Sequence, residues 1–120
     1  MKKTPLSSIF EDYGKLPEYT GINLDQTNTI SLFGDRPINI AATRGSISEM
    51  EALIDDGANI NNPGEHSYTP LHNAVEQGML DAAKWLIDHG ADKLSKNSSG
   101  LTPKELATLL NEKALIKLLS

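Results

Sequence analysis

The sequence contains no cysteine, which excludes disulfides, thiolate metal sites and thiol nucleophiles and leaves the redox compartment unread. Aromatic residues make up only 5% of the chain. A core must therefore be assembled mainly from Leu, Ile and Ala, which favours helices packed closely on helices. No stretch approaches the roughly 20 apolar residues needed to cross a bilayer. The opening Met1-Lys2-Lys3 has the charge of a secretory leader, but Thr4 to Asp12 is polar and holds Pro5, with no apolar run and no small-residue cleavage site. The expectation is a cytoplasmic protein that does not engage a membrane. Bases are scarce in the middle of the chain. From Gly45 to Asp92, nine acids (Glu49, Glu51, Asp55, Asp56, Glu65, Glu76, Asp81, Asp88 and Asp92) face Lys84 alone, whereas from Lys93 onward five lysines outnumber Glu105 and Glu112. The net charge of −5 argues against nucleic-acid phosphates as the main ligand. The acidic middle would instead steer a basic protein toward it.

What is present is a repeat. The 120 residues, 38% of them hydrophobic and 22% charged, suffice for one domain with a modest core. Pro37, Pro70 and Pro103 stand 33 residues apart within Arg36-Pro37-Ile38-Asn39-Ile40-Ala41-Ala42, Thr69-Pro70-Leu71-His72-Asn73-Ala74-Val75 and Thr102-Pro103-Lys104-Glu105-Leu106-Ala107-Thr108. Eight residues after each proline comes Gly45, Gly78 or Asn111, residue types that tolerate a left-handed helix end. Ala52-Leu53-Ile54-Asp55-Asp56-Gly57-Ala58-Asn59 overlies Trp85-Leu86-Ile87-Asp88-His89-Gly90-Ala91-Asp92 at the same shift. Proline suits the first turn of a helix, where its missing N–H costs nothing, and the preceding threonine can cap that helix. The alanine permits close helix approach, and Leu53/Ile54 and Leu86/Ile87, with Met50 and Ala83 one turn earlier, mark the buried face of a second helix. Gly57 and Gly90 end it, and Gly57 to Thr69 reads as loop.

A period of 33 with Thr69-Pro70-Leu71-His72, Ala74, Gly78, Leu86-Ile87 and Gly90-Ala91-Asp92 resembles the ankyrin repeat. The resemblance implies an all-α solenoid of about three helix–turn–helix units over residues 34–120, divided as 34–66, 67–99 and a truncated C-terminal cap at 100–120. The outer units depart from the pattern: Arg36 and Asn39 replace the threonine and histidine in the first, and Lys104-Glu105 and Asn111 replace Leu-His and glycine in the third. They read as end repeats that have exchanged consensus residues for polar ones, as solenoid caps do, and three units is about the minimum for a stable stack. Residues 1–33 fit the repeat poorly and read as an irregular N-terminal cap or arm. One or two helical turns are expected over Ser7 to Tyr13, with Phe10, Leu16, Leu24, Ile30 and Leu32 covering the first unit.

Residues that invite a chemical role have structural readings. His66, His72 and His89 lack an i, i+4 pair or a His-Glu-x-x-His spacing. The resemblance implies that the His72 ring points inward and bonds loop backbone between units, while His66 and His89 read as surface residues. Asp55-Asp56 are adjacent on a helix and do not share a face, so they are no acid–base pair. Trp85 reads as packing within the stack. No nucleophile elbow or phosphate-cradling glycine loop is present. No enzyme activity, metal or cofactor is expected, an unrecognised catalytic site being the remaining rival.

Ankyrin stacks bind partners through loop tips and the exposed side of the first helices, so the resemblance places candidate partner contacts at Phe33, Asp35, Arg44, Glu65, His66, Tyr68, Glu76 and Gln77. Tyr68 is the expected anchor, a rigid amphipathic side chain just before a helix. The expected function is a protein-interaction module, monomeric or a heterodimer with its partner. In its sharper form it is a small free-standing inhibitor of a basic enzyme such as a toxin nuclease, an immunity protein; in its alternative form, a scaffold or regulatory subunit of a stable complex.

Overall fold

The computed structural model describes residues 4–120; the leader-like Met1-Lys2-Lys3 lies outside the described residues. Among the described residues every regular element is helical. The helix α1 (Leu6–Tyr13) is followed by a short 3-10 turn at Pro17–Tyr19. Three helix pairs come next: α2 (Pro37–Arg44) with α3 (Ile47–Asp55), α4 (Pro70–Glu76) with α5 (Leu80–Asp88), and α6 (Pro103–Leu109) with α7 (Lys113–Leu119). The first helix of each pair opens on its proline, and the hydroxyls of Thr69 and Thr102 accept the backbone N–H of His72 (3.3 Å) and Glu105 (3.2 Å), which caps α4 and α6. The chain leaves the first helices through Gly45, Gly78 and Asn111, with φ of 69°, 68° and 57°. All three lie in the left-handed region, so the asparagine does the work of the two glycines.

The pairs stack so that α2 packs on α4 and α4 on α6, with each second helix against its own first helix, α5 against α7, and α1 against α3. Ala41, Ala74 and Ala107, one per unit, are fully buried where the first helices meet. Met50, Leu53, Ala83, Leu86, Leu115 and Leu119 bury the inner face of the second helices. Ile54, Ile87 and Trp85 are only partly buried, and Trp85 stacks on His89 with ring centroids 3.9 Å apart.

Polar side chains join the units. His72 is fully buried. Its Nδ1 accepts the Thr69 N–H at 3.2 Å, and its Nε2, 2.8 Å from the Leu101 carbonyl, must donate. Asn39 stands 33 residues earlier and does the same job: its Oδ1 accepts the Arg36 N–H (3.1 Å) and its Nδ2 donates to the Tyr68 carbonyl (3.2 Å). It also donates to the Asn62 carbonyl and Asn73 Oδ1, both at 3.0 Å, and accepts from Asn62 Nδ2 at 2.8 Å. In the last unit Glu105 keeps only the local half, accepting the Thr102 N–H at 3.1 Å.

The loop tips obey the same period. Ser31, Gly64 and Asn97 each donate a backbone N–H to the carbonyl four residues on, at Asp35 (2.8 Å), Tyr68 (2.8 Å) and Leu101 (2.9 Å). The next amide in each tip reaches the preceding segment: Leu32 to the Glu18 carbonyl (2.7 Å), Glu65 to Asp35 Oδ1 (2.9 Å), and Ser98 to the His66 carbonyl (2.9 Å). The loop hydrogen-bond pattern thus begins upstream of residue 34.

The segment before Gly34 differs from expectation in what it buries. Ile9, Tyr13, Tyr19 and Leu24 enter the core, with Phe10 and Leu16 partly buried, whereas Ile30 and Leu32 are 52% and 62% exposed. The tight turn closed by Ser31 and Asp35 lifts both out to solvent, and Tyr19 fills the space beneath, its hydroxyl donating to the Thr29 carbonyl at 2.8 Å. Burial pushes the Tyr19 and Tyr13 hydroxyls well above the usual tyrosine range, with nearby carboxylates adding to the effect. Thr27 ties the segment to the end of α3 by donating to Asp56 Oδ2 at 2.6 Å.

Candidate functional site

A groove of about 650 Å³ runs along the exposed side of α2 and α4, beneath the first two loop tips. The repeat sets its walls in register. Asp35 and Tyr68 close successive tips, Ile40 and Asn73 lie one turn inside successive first helices, and Thr43 and Glu76 follow three residues later on the same helix face. Leu16 and Glu18 from the 3-10 turn region and Asp12 from α1 close the N-terminal side, and Arg44, Glu65 and His66 complete the lining.

The electrostatics are lopsided. Asp12, Glu18, Asp35, Glu65 and Glu76 face Arg44 and His66 across this volume. Arg44 is already engaged: its guanidinium lies 2.7 Å from Asp12, 3.8 Å from Glu49 and 5.1 Å from the Tyr13 ring centroid. Its charge therefore fastens α1 to the end of α2 and is neutralised locally. Burial raises the Glu18 carboxyl above the usual range; a hydrogen bond with Ser31 opposes this, and the negative Asp35 and Glu65 add to it. Glu18 Oε1 is buried without a hydrogen-bond partner. Burial, with Glu76 beside it, pushes the Tyr68 hydroxyl up to about 12. The Tyr68 ring leans on the buried His72, centroids 5.5 Å apart, so the inter-unit histidine also holds this side chain in place.

The middle tip carries backbone strain. His66 and Ser67 have φ of 56° and 58°, a region that costs an L-residue about 1–2 kcal/mol, while the residues in register with Ser67 are Gly34 and Gly100. Gly64 permits a close approach, since a Cβ there would stand 2.3 Å from Asp35 Oδ1 and 2.8 Å from Asn39 Cγ.

Of the residues expected from the sequence, Asp35, Arg44, Glu65, His66, Tyr68 and Glu76 come together in this groove. Phe33, 53% exposed at the first tip, and Gln77, exposed past the end of α4, lie outside its lining. The groove adds Asp12, Leu16, Glu18, Ile40, Thr43 and Asn73 to those contacts. Thr43 stands 33 residues before Glu76, and Ile40 and Asn73 one turn earlier on the same two helices, so the register reaches all three; Asp12, Leu16 and Glu18 sit in a segment whose docking no period announces. A second, smaller depression between α3 and α5 is lined by Glu51, Ile54, Asp55, Trp85 and His89. Among the described residues no cluster of His, Asp and Glu is arranged to hold a metal, and no helix is long and apolar enough to cross a membrane.

Comparison with known proteins gives a consistent picture. A family model described as ankyrin repeats, in three copies, matches residues 15–97. The chain is 32% identical over 96 residues to the protein phosphatase 1 regulatory subunit 27 of Mus musculus, covering 80% of this chain and 60% of that protein. It is 36% identical over 70 residues to the 2-5A-dependent ribonuclease of Homo sapiens, 58% of this chain and 9% of the other. It is also 37% identical over 76 residues to the potassium channel GORK of Arabidopsis thaliana, 63% of this chain and 9% of the other. The chain spans less than two thirds of the length of each.

Proposed function

The chain belongs to the ankyrin-repeat family, whose stacks serve protein–protein interaction, and from that premise we propose that it binds a basic surface of a partner protein in the groove under its first two loop tips, without catalysing a reaction. The observation that carries this reading is the concentration of five carboxylates around one groove whose single arginine is already paired to Asp12. Such a groove attracts cationic partners over a distance set by the ionic strength. The proposed contacts are Asp35, Glu65, Glu76 and the anchor Tyr68, with Phe33, Arg44, His66 and Gln77 at the margin. Inhibition of a basic enzyme such as a toxin nuclease, the immunity role, is the narrower form of this proposal and rests on the same charge alone.

A second reading, a regulatory subunit of a stable complex, is favoured by the match to a phosphatase regulatory subunit over 80% of this chain. Both readings predict binding, and they part on outcome. The test is to recover cross-linked partners from the source cells and to measure each purified partner's affinity for the wild type, Tyr68→Ala and Glu65→Gln/Glu76→Gln. Affinity is expected to fall on both substitutions and with salt from about 0.05 M to about 0.5 M. Partners that bind all three forms equally would refute the groove. Loss of the partner's activity on binding supports the inhibitor form, and a change in its specificity or assembly supports the regulatory one.

A further inference from the structure

An apolar loop tip stands next to the groove, joined to it through Asp35 and Glu18. Ile30, Leu32 and Phe33 are 52%, 62% and 53% exposed. The Leu32 amide donates to the Glu18 carbonyl at 2.7 Å, so this tip is tied to the turn that supplies the groove's half-buried acid. Asp35, two residues past Phe33, lines the groove itself. The apolar surface thus begins where the acidic one ends. A cluster of large apolar side chains on one tip marks a contact surface, and the charge of the adjoining groove says what kind of partner covers it.

We infer that the groove and the first loop tip form one binding surface, whose ligand is a protein segment carrying an arginine next to a large apolar residue. This deepens the basic-partner reading and rests on it. The arginine enters between Glu18, Asp35 and Glu65, its stem lies against Leu16 and Ile40, and the apolar neighbour covers Leu32 and Phe33. Arginine is favoured over lysine for two reasons. Glu18 Oε1 is a buried acceptor without a donor, and several carboxylates border the same space. The guanidinium carries five N–H donors in a rigid planar fork and sheds water more readily than an ammonium, which offers three donors around a compact, strongly hydrated charge. The aliphatic stem matches the apolar wall.

The test uses the full chain, immobilised, and a displayed library of short random peptides. Enriched sequences are expected to hold arginine within two positions of Leu, Ile, Phe or Trp. Synthetic copies of them are expected to lose at least roughly tenfold in affinity on each of three changes: Arg→Lys in the peptide, Leu32→Ser/Phe33→Ser in the protein, and Glu18→Gln/Glu65→Gln in the protein. Circular dichroism and Tm of each variant exclude unfolding; Leu32 and Phe33 are exposed, so their replacement leaves the core intact. Enrichment of lysine and arginine alike, or indifference to Leu32→Ser/Phe33→Ser, overturns the inference while the basic-partner reading stands. Enrichment without basic residues, or no enrichment, overturns both. A wild-type dimer in size-exclusion chromatography that Leu32→Ser/Phe33→Ser converts to monomer assigns the tip to self-association and overturns the inference as well.

Discussion

Replacing His72 by alanine removes more than a side chain from the middle unit. The ring is fully buried, its Nδ1 accepts the Thr69 N–H, and its Nε2 donates to the Leu101 carbonyl of the next tip. Each orphaned buried group costs about 1–3 kcal/mol, and the vacated ring volume adds a cavity term. The expected loss is about 3–5 kcal/mol, a large part of the roughly 5–15 kcal/mol that holds a domain folded. His72→Asn should cost less than His72→Ala, because Asn39 makes the equivalent pair of bonds one unit earlier. Urea unfolding followed by circular dichroism measures both, with Lys93→Ala as the exposed control, expected within about 0.5 kcal/mol of the wild type. The same ring sets a pH dependence. Burial lowers its pKa, against the opposing pull of the Leu101 carbonyl. The neutral ring's stabilisation is therefore complete above the unfolded value of about 6.5 and declines as pH falls from there toward the lower folded pKa. That decline should vanish in His72→Ala. A cost below about 1 kcal/mol, or an unchanged slope between neutral and mildly acidic pH, would refute the assigned bonding.

Ser67→Gly should stabilise the protein by about 0.5–1 kcal/mol, since it relieves a left-handed serine while paying the entropy of a glycine; a rise in Tm of a few degrees is the readout, and a fall counts against the turn geometry. Gly64→Ala should destabilise it, because the added carbon meets Asp35 Oδ1 and Asn39 Cγ well inside contact distance, and should also weaken partner binding by displacing the Asp35 carboxylate. Asn39→Ala should cost about 2–4 kcal/mol in urea unfolding, as it strips partners from Asn62, Asn73 and the Tyr68 carbonyl at once; a value near zero would mean that solvent replaces these bonds.

Much of the fold was legible because its determinants are local and periodic. A proline (after a threonine in the second and third units), an alanine four residues on and a left-handed residue eight residues on define each first helix within a few turns of chain. The register then carries every such feature from one unit to the next. Asn39 shows where residue-type reasoning stops. As a letter it is a departure from the histidine pattern, yet the carboxamide presents an acceptor and a donor in the same order as the imidazole. Only the positions of the Arg36 amide and the Tyr68 carbonyl reveal that the two side chains are interchangeable. The candidate site was legible in part because the ankyrin resemblance, carried along that register, points to Asp35, Glu65, Tyr68 and Glu76, whereas Asp12, Leu16 and Glu18 lie outside the repeat it covers.

The sequence alone therefore determined the helical repeat, with each first helix opening at its proline and ending at Gly45, Gly78 or Asn111, because backbone preferences and a 33-residue spacing need no knowledge of distant contacts. The side of the stack on which loop tips and first helices lie was implied by the ankyrin resemblance. Only the tertiary structure decided how the aperiodic first segment docks. There Tyr13 and Tyr19 go under and Ile30 and Leu32 stay out, because burial depends on which surface of α2 and α3 is free to be covered. It also decided that Asp12 and Glu18 join a groove built by two later units while Asp12 neutralises Arg44. Charge complementarity is a matter of distance in space, and no period in the chain encodes it.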